Sequence, residues 1–390
     1  MATTSNWSAW VQASTDLESA GTSTSFWSGW VTATTAGGPD PNLVTEWYVA
    51  RTSTWVPAVL TVLSAEVVPE PPPPSFDGDY VILDSDYGPD VDDLVAHAFL
   101  MNLEQQDECQ VLACVACISN NKSPGAFNAV NTWHGRATLP VGGFTGTVSG
   151  GVFDGGPLFP NGGAGAESDG DAWAVSIYDA DTTYPRNITT TNYPDDVTVY
   201  KNALNAAPDG SVKIVTIGML NSLYELLIST GGADLVAQKV KSVWVMGGSS
   251  AHNEFNLRHA PVAASYVAAN CPVPIYWSRF QIGATIYTGK WSGTQHAGHV
   301  VRFGMEAFNH GSASTGGGRQ SWDAMNVLAA VRGADAGFAF QRGTMVVDSS
   351  SGGDTWTASS TGPHWLVAKT LSDSAYEAAI EPLVFSDKVT

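Results

Sequence analysis

Basic residues are scarce in this chain. It carries 17 lysine and arginine residues against 37 aspartate and glutamate residues, which gives a formal net charge of −20 over 390 residues. A protein with this excess of negative charge repels nucleic-acid polymers and anionic membranes, so we expect neither as a partner. A small neutral substrate is compatible with the same balance.

Long apolar runs are also absent. No stretch of about 18 apolar residues occurs, so the sequence predicts no membrane-spanning helix. The first residues, Met1 to Ser5, have neither the basic nor the apolar region of a signal peptide. We therefore expect a protein that is cytoplasmic or assembled into a particle.

Cysteine is rare, with four in the chain. Cys114 and Cys117 have the spacing of a redox or zinc pair, but they lie in the apolar run 111–118, which is typical of a buried strand. Residues three apart on a strand point to opposite faces. No second cysteine pair exists to complete a zinc site. We predict cysteines of the hydrophobic core.

A proline-rich run at 69–75 predicts a stiff linker between two parts of different composition. Residues 1–68 form a Trp/Ser/Thr-rich amino-terminal arm, in which Trp7-Ser8-Ala9-Trp10-Val11 recurs as Trp27-Ser28-Gly29-Trp30-Val31. This spacing would place apolar groups on one face of a short helix. The arm either packs on the main domain or docks into a homo-oligomer or larger assembly.

Residues 76–390 alternate between apolar strands and helices. This alternation predicts an α/β domain with a mostly parallel open sheet and helices on both of its faces. Ligands in such a domain bind beyond the carboxyl ends of the strands. The predicted strands are Val81–Leu83, Val111–Ile118, Val212–Ile217, Val243–Met246 and Val273–Trp277, and the predicted helices include Leu94–Asn102, Ser222–Ile228 and Pro261–Ala269.

Five carboxylates follow the first of these strands. They are Asp84, Asp86, Asp90, Asp92 and Asp93. Acidic residues often begin helices, where the dipole favours them, but that accounts for one or two of the five. Carboxylates this close repel one another in a crevice unless a cation is present. Oxygen ligands alone favour a hard ion, calcium or magnesium.

Other predicted strand ends and helix starts carry amides and carboxylates, which would suit a polyhydroxylated ligand.

The chain from about Phe76 to Val384 resembles the inosine-uridine nucleoside N-ribohydrolase family. The family's opening Asp-Thr-Asp-x-Gly and its Asp-Asp pair correspond to residues 84–88 and 92–93. Its Gly-Pro-Leu-Thr-Asn turn is matched loosely by residues 218–222. Its Met-Gly-Gly and Glu-Phe-Asn elements occur at 246–248 and 254–256, and its last metal aspartate corresponds to Asp323.

The resemblance implies a calcium-dependent enzyme of purine or pyrimidine salvage that hydrolyses the N-glycosidic bond of ribonucleosides. Calcium would be held by Asp86, Asp93, Asp323 and the backbone carbonyl of Asn221. Asp86 would also be the catalytic base that deprotonates the attacking water. The ribose hydroxyls would contact Asp92, Glu254 and Asn256, and Asn120 or Asn121 would face the ring.

The chain departs from the family pattern in two places. Two extra residues precede the Asp-Asp pair, so Asp90 could replace Asp92 or serve as a metal ligand. Trp322 stands where the family often has a histidine that protonates the departing base; an indole is no acid, but it can stack on a base. No other histidine is assigned this role. The alternative function is a non-catalytic structural or ligand-binding component of an assembly, such as a virion protein.

Overall fold

The computed structural model describes residues 78–145, 171–251, 253–308 and 311–386, together with the backbone of four strands nearer the amino terminus. The chain divides into two compact units, Met1–Ser75 and Phe76–Thr390. The linker 69–75 lies outside the described residues, and the predicted domain boundaries stay a prediction. No helix in the described part of the chain combines the length and the apolar character needed to cross a membrane.

The first unit contains two antiparallel strand pairs. Strand β1 (Thr4–Ala9) pairs with β2 (Val31–Ala36), and β3 (Trp47–Arg51) pairs with β4 (Thr54–Ala58). The helix predicted from the first tryptophan repeat is therefore wrong for Trp7 to Ala9. Thr, Val and Trp favour strands, which competes with a helical reading of this spacing. The second copy, from Trp27 to Trp30, lies outside the described residues.

The second unit contains a nine-stranded sheet and a separate antiparallel pair. The strands of the sheet are β5 (Asp79–Ser85), β6 (Cys109–Ala116), β7 (Val141–Gly143), β8 (Val212–Thr216), β9 (Val240–Met246), β10 (Ile275–Ser278), β13 (Phe338–Val347), β14 (Asp354–Ala358) and β15 (His364–Lys369). The separate pair is β11 (Tyr287–Lys290) with β12 (Gly317–Gln320).

The strand order is β14-β13-β15-β10-β9-β8-β5-β6-β7. All neighbours from β15 to β7 are parallel, and β13 joins β15 and β14 in antiparallel register. The chain runs from β5 outward to β7, then returns to β8 on the other side of β5. The crevice at the carboxyl ends of β5 and β8 is thus the point at which strand order reverses, where ligands bind in open α/β sheets.

Eleven helices are described in the second unit. They are α1 (Asp92–Gln105), α2 (Ser123–Trp133), α3 (Asp171–Asp179), α4 (Asp196–Ala206), α5 (Asn221–Ile228), α6 (Gly232–Lys239), α7 (Phe255–His259), α8 (Pro261–Asn270), α9 (Val300–Ala307), α10 (Trp322–Arg332) and α11 (Asp373–Val384). Short 3₁₀ turns occur at Phe280–Ile282, Ala313–Thr315 and Gly333–Ala336.

The hydrophobic core lies on both faces of the sheet. Val81 and Leu83 of β5 pack in the cluster that contains α1 and α10. Tyr80 and Ile82 pack in the cluster that contains α4 and α5. This alternation follows from the two-residue period of a strand. The predicted fold class is confirmed, and each predicted strand and helix overlaps an observed one.

The cysteines are free thiols. Cys109, Cys114 and Cys117 are buried. Cys114 and Cys117 pack in different core clusters. Burial raises the pKa of the Cys114 thiol to about 12, so this thiol is neutral and unreactive at ordinary pH. The prediction of core cysteines is confirmed for this pair.

Candidate active site

The first carboxylates of the site lie at the carboxyl end of strand β5. Asp86 follows the last strand residue, and α1 begins at Asp92, so Asp92 and Asp93 occupy the first turn of that helix. No side chain caps this helix. The positive end of its dipole favours negative charge nearby. The fold therefore places two acids in a position that stabilises anions.

A second helix start brings Asp323 to the same point. Asp323 lies in the first turn of α10, and its backbone N–H donates to Asp92 Oδ2 at 3.2 Å. The Ser85 hydroxyl donates to Asp93 Oδ1. One carboxylate oxygen from each of Asp92, Asp93 and Asp323 lies within 4.8 Å of the others, and all three residues are buried. Residues 231 positions apart thus form one acidic cluster that could hold a metal ion.

The buried carboxylates have strongly perturbed acidities. Burial raises the pKa of Asp92, Asp93 and Asp323 well above the usual value, and repulsion from neighbouring carboxylates, which include Asp86 and Asp90 in each case, adds to it. Burial also raises the pKa of Asp86 to about 7, with the charges of Asp90 and Glu254 contributing. Carboxylates are ionised at neutral pH in such a place when a cation compensates them. The donor set, made of oxygen alone, fits a hard divalent cation.

The turn after β8 lies against Asp86. A methyl group added to Gly218 would come within 2.3 Å of the Asp86 backbone nitrogen and 2.7 Å of its Oδ1. Only glycine permits this approach. Asn221 follows at the start of α5, where its side-chain amide donates to the Cys117 carbonyl at 3.3 Å. Its buried Oδ1 has no hydrogen-bond partner among the described residues.

Glu254 and Asn256 lie at the start of α7, beyond the end of β9. Glu254 caps this helix: Oε1 accepts from the Asn256 N–H at 2.9 Å, and Oε2 accepts from the N–H groups of Gly248 and Leu257, both at 3.2 Å. Burial raises the Glu254 pKa to about 7. The Asn256 side-chain amide donates to the carbonyls of Ile217 and Met246, both at 3.1 Å. Both side chains are thus held in fixed orientations.

These groups surround a pocket of about 270 Å³. Six carboxylates line it together with aromatic and other apolar side chains. The lining residues are Asp86, Pro89, Asp90, Asp92, Asp93, Ile217, Met246, Glu254, Phe255, Asn256, Phe280, Phe308, Arg319, Trp322 and Asp323. The arrangement has a polar region suited to hydroxyl groups and a metal, and an aromatic region suited to a flat ring.

The predicted site residues are distributed unequally around this pocket. Those that line it are Asp86, Asp90, Asp92, Asp93, Glu254, Asn256, Trp322 and Asp323. Asn120, Asn121 and Asn221 are outside the lining. Asn120 Oδ1 instead accepts from the Lys122 N–H at 2.9 Å, before α2, and Asn121 is exposed. The role predicted for Asn221 uses its backbone, which need not line the pocket with a side chain.

Asp90 differs from the other acids. It forms a two-point ion pair with Arg319. Like Asp86 and Glu254, it lies outside the three-carboxylate cluster. Arg319, Phe255, Phe280 and Phe308 were not predicted as site residues. Arg319 is four residues before Asp323, which is the one sequence signal that could have indicated it. Phe255 lies between the predicted residues Glu254 and Asn256, which is a further signal. Phe280 and Phe308 carry none, because only the fold brings their distant segments to the pocket.

Comparison with known proteins identifies the class. A family model described as inosine-uridine preferring nucleoside hydrolase matches residues 81–377. The match spans most of the chain, so the protein belongs to this family, and the predicted resemblance is confirmed. Family members are metal-dependent, and the acidic cluster agrees with that property. No curated protein matches the sequence.

Solved structures share the fold at low identity. A plant nucleoside hydrolase is 18% identical, with a TM-score of 0.59; the match covers 81% of this chain and all of that one. An inosine-uridine preferring nucleoside hydrolase from Bacillus anthracis is 16% identical, with a TM-score of 0.58 and coverage of 79% and 99%. A purine-preferring ribonucleoside hydrolase from Gardnerella vaginalis is 15% identical, with a TM-score of 0.60 and coverage of 78% and 99%.

Proposed function

We propose that this protein hydrolyses the N-glycosidic bond of ribonucleosides in a calcium-dependent reaction, giving ribose and a free base. The observation that carries the proposal is the convergence of Asp86, Asp92, Asp93 and Asp323 in one pocket that also has aromatic walls. A purely structural role gives no reason to keep buried carboxylates that repel one another. Membership of a hydrolase family likewise favours the enzyme over the non-catalytic alternative.

The carboxylate region would bind the sugar. Glu254 has both oxygens fixed by backbone N–H groups, so it can accept further hydrogen bonds from ribose hydroxyls without moving. The Asn256 amide hydrogens are already used, so its Oδ1 is the atom available to accept from a hydroxyl. Asp92 would bind a further hydroxyl. These oxygens also favour the positive charge that develops on the sugar as the C–N bond breaks.

Asp86 is proposed as the general base. Its carboxylate lines the pocket, and it would take a proton from the water that attacks C1′ of the ribose. Asp86, Asp93, Asp323 and the Asn221 carbonyl would hold calcium, which supplies a positive charge that orients the water and lowers its pKa. The pocket's six carboxylates disfavour anionic substrates. We therefore expect nucleosides to be preferred over their phosphates.

The aromatic region would bind the base. The rings of Phe280 and Trp322 are tilted, with centroids 5.2 Å apart, and both line the pocket together with Phe255 and Phe308. A purine or pyrimidine can stack on such rings. The Trp322 indole N–H is itself buried and has no hydrogen-bond partner among the described residues, so the contribution of Trp322 to base binding would come from its ring.

The test is base release from inosine, uridine and adenosine, with inosine 5′-phosphate for comparison. We expect hydrolysis of at least one nucleoside, its loss on chelation, and recovery with calcium more fully than with magnesium. Hydrolysis that survives complete metal removal would contradict the calcium assignment. Binding of nucleosides without any turnover would instead support the ligand-binding alternative.

A further inference from the structure

One cationic side chain lines the pocket in the part of the chain that the structure describes. It is Arg319, at the end of β12, facing six carboxylates. Its Nε donates to Asp90 Oδ1 at 2.8 Å, and a terminal nitrogen donates to Asp90 Oδ2. The other terminal nitrogen donates to Gln320 Oε1 at 2.8 Å. Such a two-point pair fixes the plane of a guanidinium as well as its position.

The Arg319 guanidinium lies beside the aromatic region rather than the metal cluster. Its central carbon is 5.4 Å from the ring centroid of Trp322 and 5.4 Å from that of Phe308. Both rings line the pocket. A base that occupies the aromatic region therefore comes close to Arg319, while the ribose lies toward the carboxylates.

Cleavage of the C–N bond is faster when a hydrogen-bond donor lies beside the departing base. The bond's electron pair leaves with the base, and a leaving group of high pKa departs slowly unless a donor stabilises it. Trp322 has no acidic proton to transfer. An arginine does not lose its proton either, but its N–H groups make charge-assisted hydrogen bonds to electron-rich atoms.

We propose that Arg319 is a catalytic residue that stabilises the departing base by hydrogen bonding, and that Asp90 is the positioning residue that aims it. The inference rests on the proposed hydrolase function. The two residues that lengthen the β5–α1 turn include Asp90 itself, so the turn supplies the partner that holds the arginine. An arginine without such a partner would be drawn toward the acidic cluster.

The step balances without a further reactant. The oxygen of water bonds to C1′, and the C1′–N bond breaks with its electron pair moving to the base. One proton of the water passes to Asp86. The base leaves as an anion hydrogen-bonded to Arg319 and then takes a proton from solvent, while Asp86 returns its proton to solvent.

An arginine at a pocket could instead bind a phosphate group of the substrate. Asp90 already neutralises Arg319, and the surrounding carboxylates leave the pocket strongly negative. A phosphate would therefore be repelled more than it is attracted. The geometry favours a neutral substrate whose charge develops only during the reaction.

The experiment compares substrates with different leaving groups. Inosine has a poor leaving group, whereas p-nitrophenyl riboside releases a stable anion that needs no stabilisation. For Arg319→Met we expect kcat on inosine to fall about 10²-fold, as when one donor to developing negative charge is removed, and kcat on p-nitrophenyl riboside to change by less than about 3-fold. Arg319→Lys and Asp90→Asn should give smaller losses with the same dependence on the leaving group.

Arg332 provides the matched control. It forms the same two-point pair with Glu108, at 2.7 and 2.6 Å, and lies outside the pocket lining. Arg332→Met should leave both substrates unaffected. Equal losses on both substrates in Arg319→Met and Arg319→Lys, or no loss on inosine, would overturn the assignment. If the unaltered protein hydrolysed neither substrate, the proposed function itself would fail, an outcome distinct from failure of Arg319 alone.

Discussion

Asp86 lies among other carboxylates in a buried pocket, and burial is the main reason that its pKa rises to about 7. A base works best when its pKa is near the working pH, because it is then partly ionised and still accepts a proton readily. A bound cation would lower this pKa and ionise the group fully. We therefore expect cation binding to convert Asp86 from a partly protonated group to an ionised carboxylate, which is the form that accepts a proton.

Asp86→Asn tests the choice of base. The two side chains have nearly the same shape, but the amide cannot accept a proton, so we expect kcat to fall about 10²- to 10⁴-fold. In chelator, the melting temperature should stay close to that of the original protein, since one of several repelling charges is removed. Steady-state kinetics on the best nucleoside and a thermal melt would measure both effects.

Asp84→Asn is the matched control for that variant. Asp84 is also buried, but its Oδ2 accepts from the Tyr200 hydroxyl at 2.6 Å, and it lies outside the pocket lining. We expect a much smaller loss of kcat. Unchanged turnover in Asp86→Asn would show that another pocket carboxylate, from Asp90, Asp92 or Asp93, is the base.

At the level of single residues, the sequence predicted the acids better than the rest of the site. Asp92 and Asp93 are adjacent at a strand-to-helix turn, so spacing alone indicates that they meet, and the family motif adds Asp323. The sequence could not assign Asp90 a role different from that of the neighbouring acids, because its ion-pair partner, Arg319, is 229 residues away. Phe308 reaches the pocket only through tertiary packing, for which no local pattern exists.

The turn between β8 and α5 is the element on which the geometry of Asp86 depends. Gly218 approaches the Asp86 backbone more closely than any side chain would permit. The backbone of β5 cannot yield without displacing the rest of the sheet. A larger residue at 218 must therefore shift one of the two turns that carry proposed metal ligands.

We expect Gly218→Ala to lower kcat by about 10²-fold or more, because small displacements of catalytic groups are costly. Overpacking should also reduce the free energy of unfolding by about 1–3 kcal/mol. The control is Gly353→Ala, where the atoms nearest to the added methyl group would be the side-chain oxygens of Asn253 and Ser351, each at 3.2 Å and both on exposed residues that can move. Kinetics and calcium titration on both variants check this; wild-type behaviour of Gly218→Ala would contradict the close approach.

At the level of elements, the longer buried strands were predictable, whereas the three-residue strand β7 and the partly exposed edge strands were not. The parallel strands β5, β6 and β8 consist mostly of apolar residues, because both of their faces are covered. Strand β13 at the antiparallel edge mixes buried and exposed positions and carries Gln341, Arg342 and Gly343 in its interior. Such a strand resembles a loop in sequence. The short helix predicted at Trp7 was wrong because periodicity over five residues is too short to overrule strand preference.

For the whole molecule, we expect the acidic pocket to make stability depend on both pH and calcium. Asp86 and Glu254 have folded pKa values raised to about 7 by burial. A raised carboxyl pKa stabilises the folded state fully below the unfolded value, near 4, and this stabilisation is lost as the pH rises through about 7. We therefore expect the chelated protein to lose stability as the pH rises from 5 to 8.

Calcium should offset this loss by binding the folded state. The increase in melting temperature on adding calcium should consequently grow over the same pH range, and magnesium should give a smaller increase. Thermal melts at several pH values, with chelator or with each ion, provide the measurement. A calcium effect that shrinks as the pH rises would contradict the metal site.

The amino-terminal arm gives the last prediction. All residues that line the pocket lie between Asp86 and Asp323, and the compact unit that contains them begins at Phe76. We expect a protein that starts at Phe76 to keep the hydrolase activity and to lose the ability to assemble, because a segment rich in tryptophan and poor in charge is suited to burial against a partner chain. Light scattering after size exclusion, with kinetics on both proteins, tests this. An unchanged oligomeric state would rule out the docking role, and precipitation of the shortened protein would show that the arm covers an apolar surface of its own domain.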